Sequence, residues 1–342
     1  MKKGYLYIIL ATFLFSTMEI AIKLSGSTFH PIELNFLRFF IGGLILLPLA
    51  VNRWRKEKRN FGWQELGFFA LTGFFCIVIS MTFFQLAIGY TKAATVAILF
   101  SLNPVFVLLF AAIFLKEKMT KLVALSLAIS LAGMLIIINP FSLTDPVGIT
   151  LSILAAIFFA IYSVISRYGT KKWRYGGIET TCFSFLIGGV ELLLLMLISH
   201  ITPFATFLAT HGLALFSEIP FFSGVSLTSL PMLLYLGVGV TGIGFSCYFL
   251  AMEETSLSLA SLVFFIKPAL APILALFILG EAIPLETAIG ILVLLLGSLI
   301  TFISNREVPK IIAEKEKKST SPFLKKSGFI LQEMGERIVK IL

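Results

Sequence analysis

Stretches of about twenty residues that are apolar on every face alternate along this chain with short polar connectors, the spacing expected of membrane-spanning helices. Ten segments qualify: roughly 4–24, 31–50, 63–87, 93–115, 120–138, 148–168, 178–199, 230–252, 256–279 and 285–304. A helix without a polar face has nothing to offer water, so the pattern predicts burial in lipid. The connectors carry turn formers, as in SGSTFHP (25–31) and NPFSLTDP (139–146). Two stand apart: the basic NRWRKEKRN (52–60) and the long segment 201–229.

Composition agrees with the pattern. The chain has 342 residues, 58% hydrophobic and 13% charged, against about 45–50% and 25% in soluble domains. The net charge of +9 suggests nucleic acid only until the cations are located. Lys and Arg gather at residues 2–3, 53–59, 116–121, 167–174 and beyond 305. All of these fall on one side of an even-numbered bundle, and the opposite connectors hold only Lys92. By the positive-inside rule, both termini are expected in the cytoplasm, with the chain multi-pass in the plasma (inner) membrane. Cys76, Cys182 and Cys247 lie in apolar runs, so no disulfide framework is expected. The opening MKK mimics a signal peptide, but Glu19 and Lys23 interrupt the apolar run, so it reads as a retained first span.

The sequence also repeats itself. GYLYIILATFLFSTMEIAIK (4–23) aligns with GITLSILAAIFFAIYSVISR (148–167), and IELNFLRFFIGG (32–43) with IETTCFSFLIGG (178–189). FFQLAIGYT (83–91) aligns with CYFLAMEET (247–255), and NPVFVLLFAAIFLKE (103–117) with KPALAPILALFILGE (267–281). The first two spans use offsets of 144 and 146. An offset of 164 then joins Gly73 to Gly237, Thr91 to Thr255, Pro104 to Pro268, Glu117 to Glu281 and Gly133 to Gly297. Five spans per half is odd, so the second half must enter the membrane from the opposite side, an inverted-topology repeat. The predicted fold is all-α: residues 1–138 form the first repeat, 148–304 the second, and 305–342 a basic tail. Within that tail FILQEMGERIVKIL (329–342) has the spacing of an interfacial amphipathic helix, with disorder as the alternative.

The paired IGG segments and the paired Pro-x12-Glu segments resemble the drug/metabolite transporter superfamily, in a ten-helix form built of two EamA-type repeats over residues 4–304. The resemblance implies alternating access, export of small metabolites, and a central cavity lined chiefly by spans 1, 3, 4, 6, 8 and 9.

Charges within spans bear on the site, because an ionised group at mid-bilayer costs about 2.5–3.5 kcal/mol even on the lenient scale. Lys267 and its repeat mate Asn103 each lie about 15 Å into their spans at ~1.5 Å per residue. Lys267 has three readings: it holds a substrate carboxylate or phosphate, it titrates in a proton-coupled cycle, or it pairs structurally with Glu19 or Glu191. Glu19 is open between site and structure. Lys23 reads as structural, Arg38 and Glu191 as members of structural ion pairs, and Glu33 and Glu179 as helix caps. On the cavity helices implied by the resemblance, Thr17, Gln85, Ser101, Tyr162, Ser163, Ser246 and Tyr248 join Lys267, Asn103 and Glu19 as candidate substrate-binding residues, with Pro104 and Pro268 as hinges. GVGVTGIG (237–244) favours close packing or bending and lacks the context of a phosphate loop.

No catalytic constellation, metal-ligand spacing or nucleotide motif is present in the sequence, so neither an enzyme nor a cofactor is expected. The function expected is secondary transport of a small metabolite, such as an amino acid or other organic solute, by alternating access. A lipid-handling flippase or non-transporting scaffold is the alternative. Expected partners are the solute, membrane lipids and protons as a coupling ion, with a homodimer left open and no nucleic acid. The connector 201–229 reads as a segment resting in the interface, with partial cover of the outer mouth as the other option.

Overall fold

The computed structural model describes residues 2–59, 61–114, 121–139, 145–254, 260 and 262–300. The proposed interfacial helix of the tail lies outside them, as do Glu117 and Thr255, two of the repeat correspondences. Among the described residues the chain is helical and contains no strand. Seven helices are long and apolar enough to cross a membrane, and shorter apolar helices cover Ala124–Ile138, Ile266–Leu279 and Leu285–Ile300. Together they occupy the ten expected positions.

In chain order these are α1 (Lys2–Ser16 and Met18–Ser25), α2 (Pro31–Lys56), α3 (Trp63–Tyr90), α4 (Ala93–Phe100 and Asn103–Phe114), α5 (Lys121–Ile138), α6 (Pro146–Trp173), α7 (Gly177–Ile198), α8 (Leu230–Glu254), α9 (Leu262–Leu279) and α10 (Leu285–Ile300). Helix α2 runs past its expected end at residue 50 and carries Arg53, Arg55 and Lys56 in its last turn. Cations there complement the negative end of the helix dipole.

Several helices are irregular. In α1 the regular winding stops at Thr17, whose hydroxyl bonds back to Phe13 O (3.1 Å) and Leu14 O (3.0 Å) and meets the Tyr235 hydroxyl at 2.5 Å. A hydroxyl bonding into its own helix favours bending. Helix α4 breaks at Ser101–Leu102, directly before Asn103 and Pro104, where proline cannot supply an N–H to the carbonyl of Phe100. Helix α9 runs unbroken through Pro268 and Pro272. Both α3 and α8 are π-wound, over Phe74–Met81 and Tyr235–Gly244. Shifting the first by 164 residues gives 238–245, which overlaps most of the second, so the distortion belongs to the repeat.

The packing obeys the same symmetry. Helix α1 lies on α8 and α9 as α6 lies on α3 and α4, and α2 lies on α8 as α7 lies on α3. The pairs α2–α7 and α4–α9 are their own mates. Glycine sets the closest approaches: a Cβ on Gly73 of α3 would stand 2.6 Å from Gly188 N of α7. The fifth pair is likewise reciprocal, since a Cβ on Gly133 would meet Leu294 N at 2.9 Å and one on Gly297 would meet Ser130 N at 2.9 Å.

The ends of α1, α3 and α9 meet the starts of α4 and α6, so the two halves run in opposite senses. Lys23 donates to Ile88 O (2.7 Å) and Thr91 O (2.8 Å), closing the C-terminus of α3 and supporting its structural reading. Thr91 donates to Asp145 Oδ2 (2.9 Å) beside the start of α6. After α9, Glu281 accepts from Ala93 N (2.9 Å) and Ala94 N (3.0 Å), capping α4 of the other half. Glu281→Ala is therefore expected to lower stability by about 1–2 kcal/mol, the upper range for a lost cap, and Glu281→Gln by less. Thermal unfolding of the purified protein measures both; equal losses would mean that the cap is not the cause.

The connector 201–229 holds a short helix and then a stretch that turns back to α2. Its helix Thr202–Thr210 leaves Phe204 and Phe207 exposed. Its second half folds back onto the start of α2, where Glu33 accepts from Gly224 N (2.9 Å) and Ser223 Oγ (3.2 Å). Glu33 and Glu179 also accept from the backbone of His30 and Gly176, capping α2 and α7. At the opposite end, Arg59 donates to Trp173 O (3.3 Å) and Arg174 O (2.6 Å), tying the α2–α3 connector to the α6–α7 turn. Tyr175 stacks on Trp54 there and donates to Glu65 (3.1 Å). Burial, then that carboxylate, pushes its phenol up to about 12, so it stays a donor.

Candidate functional site

The centre of the bundle is built on an ion pair between the two halves. Lys267 Nζ of α9 lies 2.6 Å from Glu19 Oε1 of α1, with the side chains 3% and 1% exposed. Glu19 lies two residues past the interruption of α1 at Thr17, and Lys267 directly precedes Pro268. Each charge therefore sits where the backbone departs from, or is prone to depart from, ideal helix. Glu19 Oε2 has no hydrogen-bond partner among the described residues. Mutual attraction offsets only part of the desolvation of a buried pair, so such a pair is weak evidence of a stabilising role.

Two aromatic triads flank this pair. Phe15 of α1 stacks on Phe264 of α9 (6.3 Å between centroids), and Phe264 meets Tyr248 of α8 edge-on (5.2 Å). Phe159 of α6 meets Phe100 of α4 (5.2 Å), and Phe100 meets Phe84 of α3 (4.8 Å). The repeat offsets convert one triad into the other: 15 to 159, 100 to 264 and 84 to 248. Phe15 and Phe264 lie one turn before Glu19 and Lys267, while the Lys267 ammonium sits 5.6 Å from the Phe100 ring. The pair thus has a ring of one triad beside it and rings of the other one turn away along α1 and α9.

A second cation stands close by. Arg38 of α2 is fully buried and makes no ion pair among the described residues, unlike the expectation for it. Its guanidinium meets Met18 Sδ (3.5 Å) and Met81 Sδ (3.6 Å) and lies over the Phe39 ring (4.2 Å). Thioethers are weak acceptors, and the carboxylate that acts on Arg38 electrostatically is Glu19. The buried centre therefore carries two cations and one anion.

The other sequence candidates are dispersed. Ser101, Ser163 and Ser246 donate to carbonyls one turn back in their own helices. Tyr162 faces Ser166 and Thr181, and Thr17 joins α1 to Tyr235 of α8. Asn103 is buried at the α4 break with Oδ1 unpartnered. Gln85 lies apart, in the wall of a cavity near Lys23. Glu191 is half-buried on α7, with Oε2 unpartnered. Sequence reasoning missed Phe15, Phe84, Phe100, Phe159, Phe264, Tyr235 and the proximity of Arg38 to Glu19. The offsets 144 and 164 were a signal for the rings, since they pair aromatic with aromatic at three positions. Among the described residues no group of His, Cys, Asp and Glu could hold a metal ion.

Comparison with known proteins bears on this arrangement. The sequence profile of the EamA-like transporter family matches residues 2–139 and again residues 146–303. The chain belongs to the EamA-like transporter family. It is 37% identical over 316 residues to an uncharacterized transporter of Clostridium kluyveri, covering 90% of this chain and 95% of that one. It is 31% identical over 168 residues to the pseudopaline exporter CntI of Pseudomonas aeruginosa, covering 49% of this chain and 57% of that one. Protein PagO of Salmonella typhimurium is 28% identical, covering 88% and 92%. A solved crystal structure superposes with a TM-score of 0.60 at 20% identity, covering 90% of this chain and 99% of that one, a likeness of fold. The family's two matches divide the chain close to where its internal repeats do. As an EamA-like chain, the protein is a membrane-embedded member of a transporter family.

Proposed function

We propose that this EamA-like protein is a secondary transporter that exports a small organic metabolite, such as an amino acid or other carboxylate, by alternating access. The observation that carries the reading is the Lys267–Glu19 pair, which joins the two repeats at their buried centre near the two mirrored aromatic triads. Rocking one half against the other opens one triad while the other stays closed. With Arg38 close by, the centre has a positive excess, which favours a solute bearing a carboxylate or phosphate. The name of the Pseudomonas relative supports the outward direction. In the expected orientation, both termini face the cytoplasm across the plasma membrane. Glu19 and Lys267 are the groups through which protons would couple, facilitated exchange being equally compatible with the pair.

The test is counterflow of radiolabelled amino acids, monocarboxylates and phosphorylated metabolites into proteoliposomes. Wild type is expected to show saturable counterflow of one anionic class, and Lys267→Met to lose it by at least about 100-fold, equivalent to ~2.7 kcal/mol. Counterflow of cations only, unchanged in the variant, would sink the anion reading. An imposed pH gradient that drives accumulation separates proton coupling from exchange.

A further inference from the structure

Two basic stretches of the chain meet at one corner of the bundle, on the face expected in the cytoplasm. Residues 53–59 carry five cations and 167–174 carry four. Arg59 joins the two stretches by its bonds to Trp173 O and Arg174 O, and Trp54 stacks on Tyr175 at 5.7 Å. We propose that this corner binds the headgroup of an anionic phospholipid, which bridges the two repeats at the inner membrane surface. The site stands independently of the transport reading.

Three observations point to that ligand. The carboxylates of the corner are few and already engaged: Glu57 pairs with Arg59, Glu65 accepts from Gly62 N and Tyr175, and Glu179 accepts from Gly176 N. Arg55, Lys56, Lys58, Lys172 and Arg174 are exposed, and like charges this crowded are relieved by a bound anion. The corner also has the aromatic character of a headgroup layer. Lys172 Nζ lies 5.0 Å from the Trp173 ring and 5.6 Å from the Tyr168 ring. Tyr168 is 45% exposed, and Trp63 at the start of α3 is 88% exposed. Open rings beside cations suit a lipid, which brings a phosphate and apolar chains in one molecule. Finally, the chain's own tail is no substitute, since residues 305–342 carry nine cations against five acidic side chains.

The three tryptophans of the chain, Trp54, Trp63 and Trp173, all lie at this end of the bundle, so intrinsic fluorescence reads it without a label. The full chain is reconstituted in mixtures of phosphatidylcholine and phosphatidylglycerol, with each lipid brominated in turn. Comparing the quenching by the two gives their relative affinity for this surface. Phosphatidylglycerol is expected to bind at least about fivefold more tightly, the gain from one well-placed surface cation. The triple variant Arg55→Gln, Lys58→Gln, Lys172→Gln changes exposed positions only. It is expected to lower the ratio to about twofold or less. Lys92→Gln, which removes an exposed cation of the opposite face, is expected to leave the ratio unchanged. No preference in wild type overturns the site. So does a preference that the triple variant retains, or that Lys92→Gln lowers equally. Loss of the preference on adding millimolar sn-glycerol 3-phosphate would make the occupant a soluble phosphate, and overturns the lipid as well.

Discussion

Glu19→Gln is expected to destabilise the protein more than Lys267→Met, and both are expected to end transport. Removing one partner of a buried pair typically costs about 3–5 kcal/mol, because the other charge is left uncompensated. Here the two sides are unequal. Without Lys267, Glu19 still feels the positive charge of Arg38. Without Glu19, Lys267 and Arg38 remain as two buried cations facing no anion. The double variant Glu19→Gln with Lys267→Met removes the opposing charges together. It is expected to recover most of the loss while remaining inactive. Thermal unfolding of the four proteins reads the coupling, and counterflow reads the activity. Strictly additive losses would mean that the 2.6 Å contact contributes no coupling, and a double variant that transports would make the pair structural.

Gly73→Val and Gly188→Val are each expected to leave little folded protein. The Cβ of either would lie within 3 Å of backbone on the facing helix: Gly188 N for the first, Gly73 O for the second. Overpacking a core usually costs about 1–3 kcal/mol, and more when backbone must move. No flexible side chain can yield here, so α3 and α7 would have to separate. The residue 16 positions beyond Gly73 is the control, since Gly89→Val meets open space. Yield of monodisperse protein after size exclusion is the measurement. Gly73→Val at wild-type yield would show that the crossing tolerates a side chain and that the close approach is incidental.

The fold was legible in the sequence to an unusual degree, for a physical reason. In lipid every backbone polar group must be satisfied within the helix, so a long apolar run has only one conformation open to it. Helix positions could therefore be read from hydropathy, and the odd number of spans per repeat then required inversion. The irregularities were less legible. The break of α4 next to Asn103 and Pro104 has a local cause in proline, but α9 carries Pro268 and Pro272 without breaking. The π-winding of α3 and α8 has no composition signal beyond glycine in one of them.

The site divides along the same line. Lys267, Glu19 and Arg38 stood out by themselves, because ionisable groups within apolar runs are expensive wherever they point. Which cation meets which anion was open. Glu19 has Lys23 four residues away on its own helix, yet Lys23 closes α3 and Glu19 turns to Lys267, 248 residues along the chain. Ser101, Ser163 and Ser246 looked like cavity residues but bond to their own helices, since a hydroxyl in a helix can always reach a carbonyl one turn back. Gln85 went to a different cavity from the one expected.

The sequence by itself determined that the chain spans a membrane, that it does so as an inverted repeat, and that Lys267, Glu19 and Arg38 lie within its spans. These follow from transfer free energy and periodicity, which are local properties of each segment. Tertiary structure alone decided that Lys267 faces Glu19 rather than Glu191, that Arg38 stands close by, and that rings from six helices join in two triads near the pair. Those facts depend on how helices distant in sequence rotate and slide against one another. That geometry is set by the shapes of contacts such as Gly73 on Gly188, not by the composition of any one span.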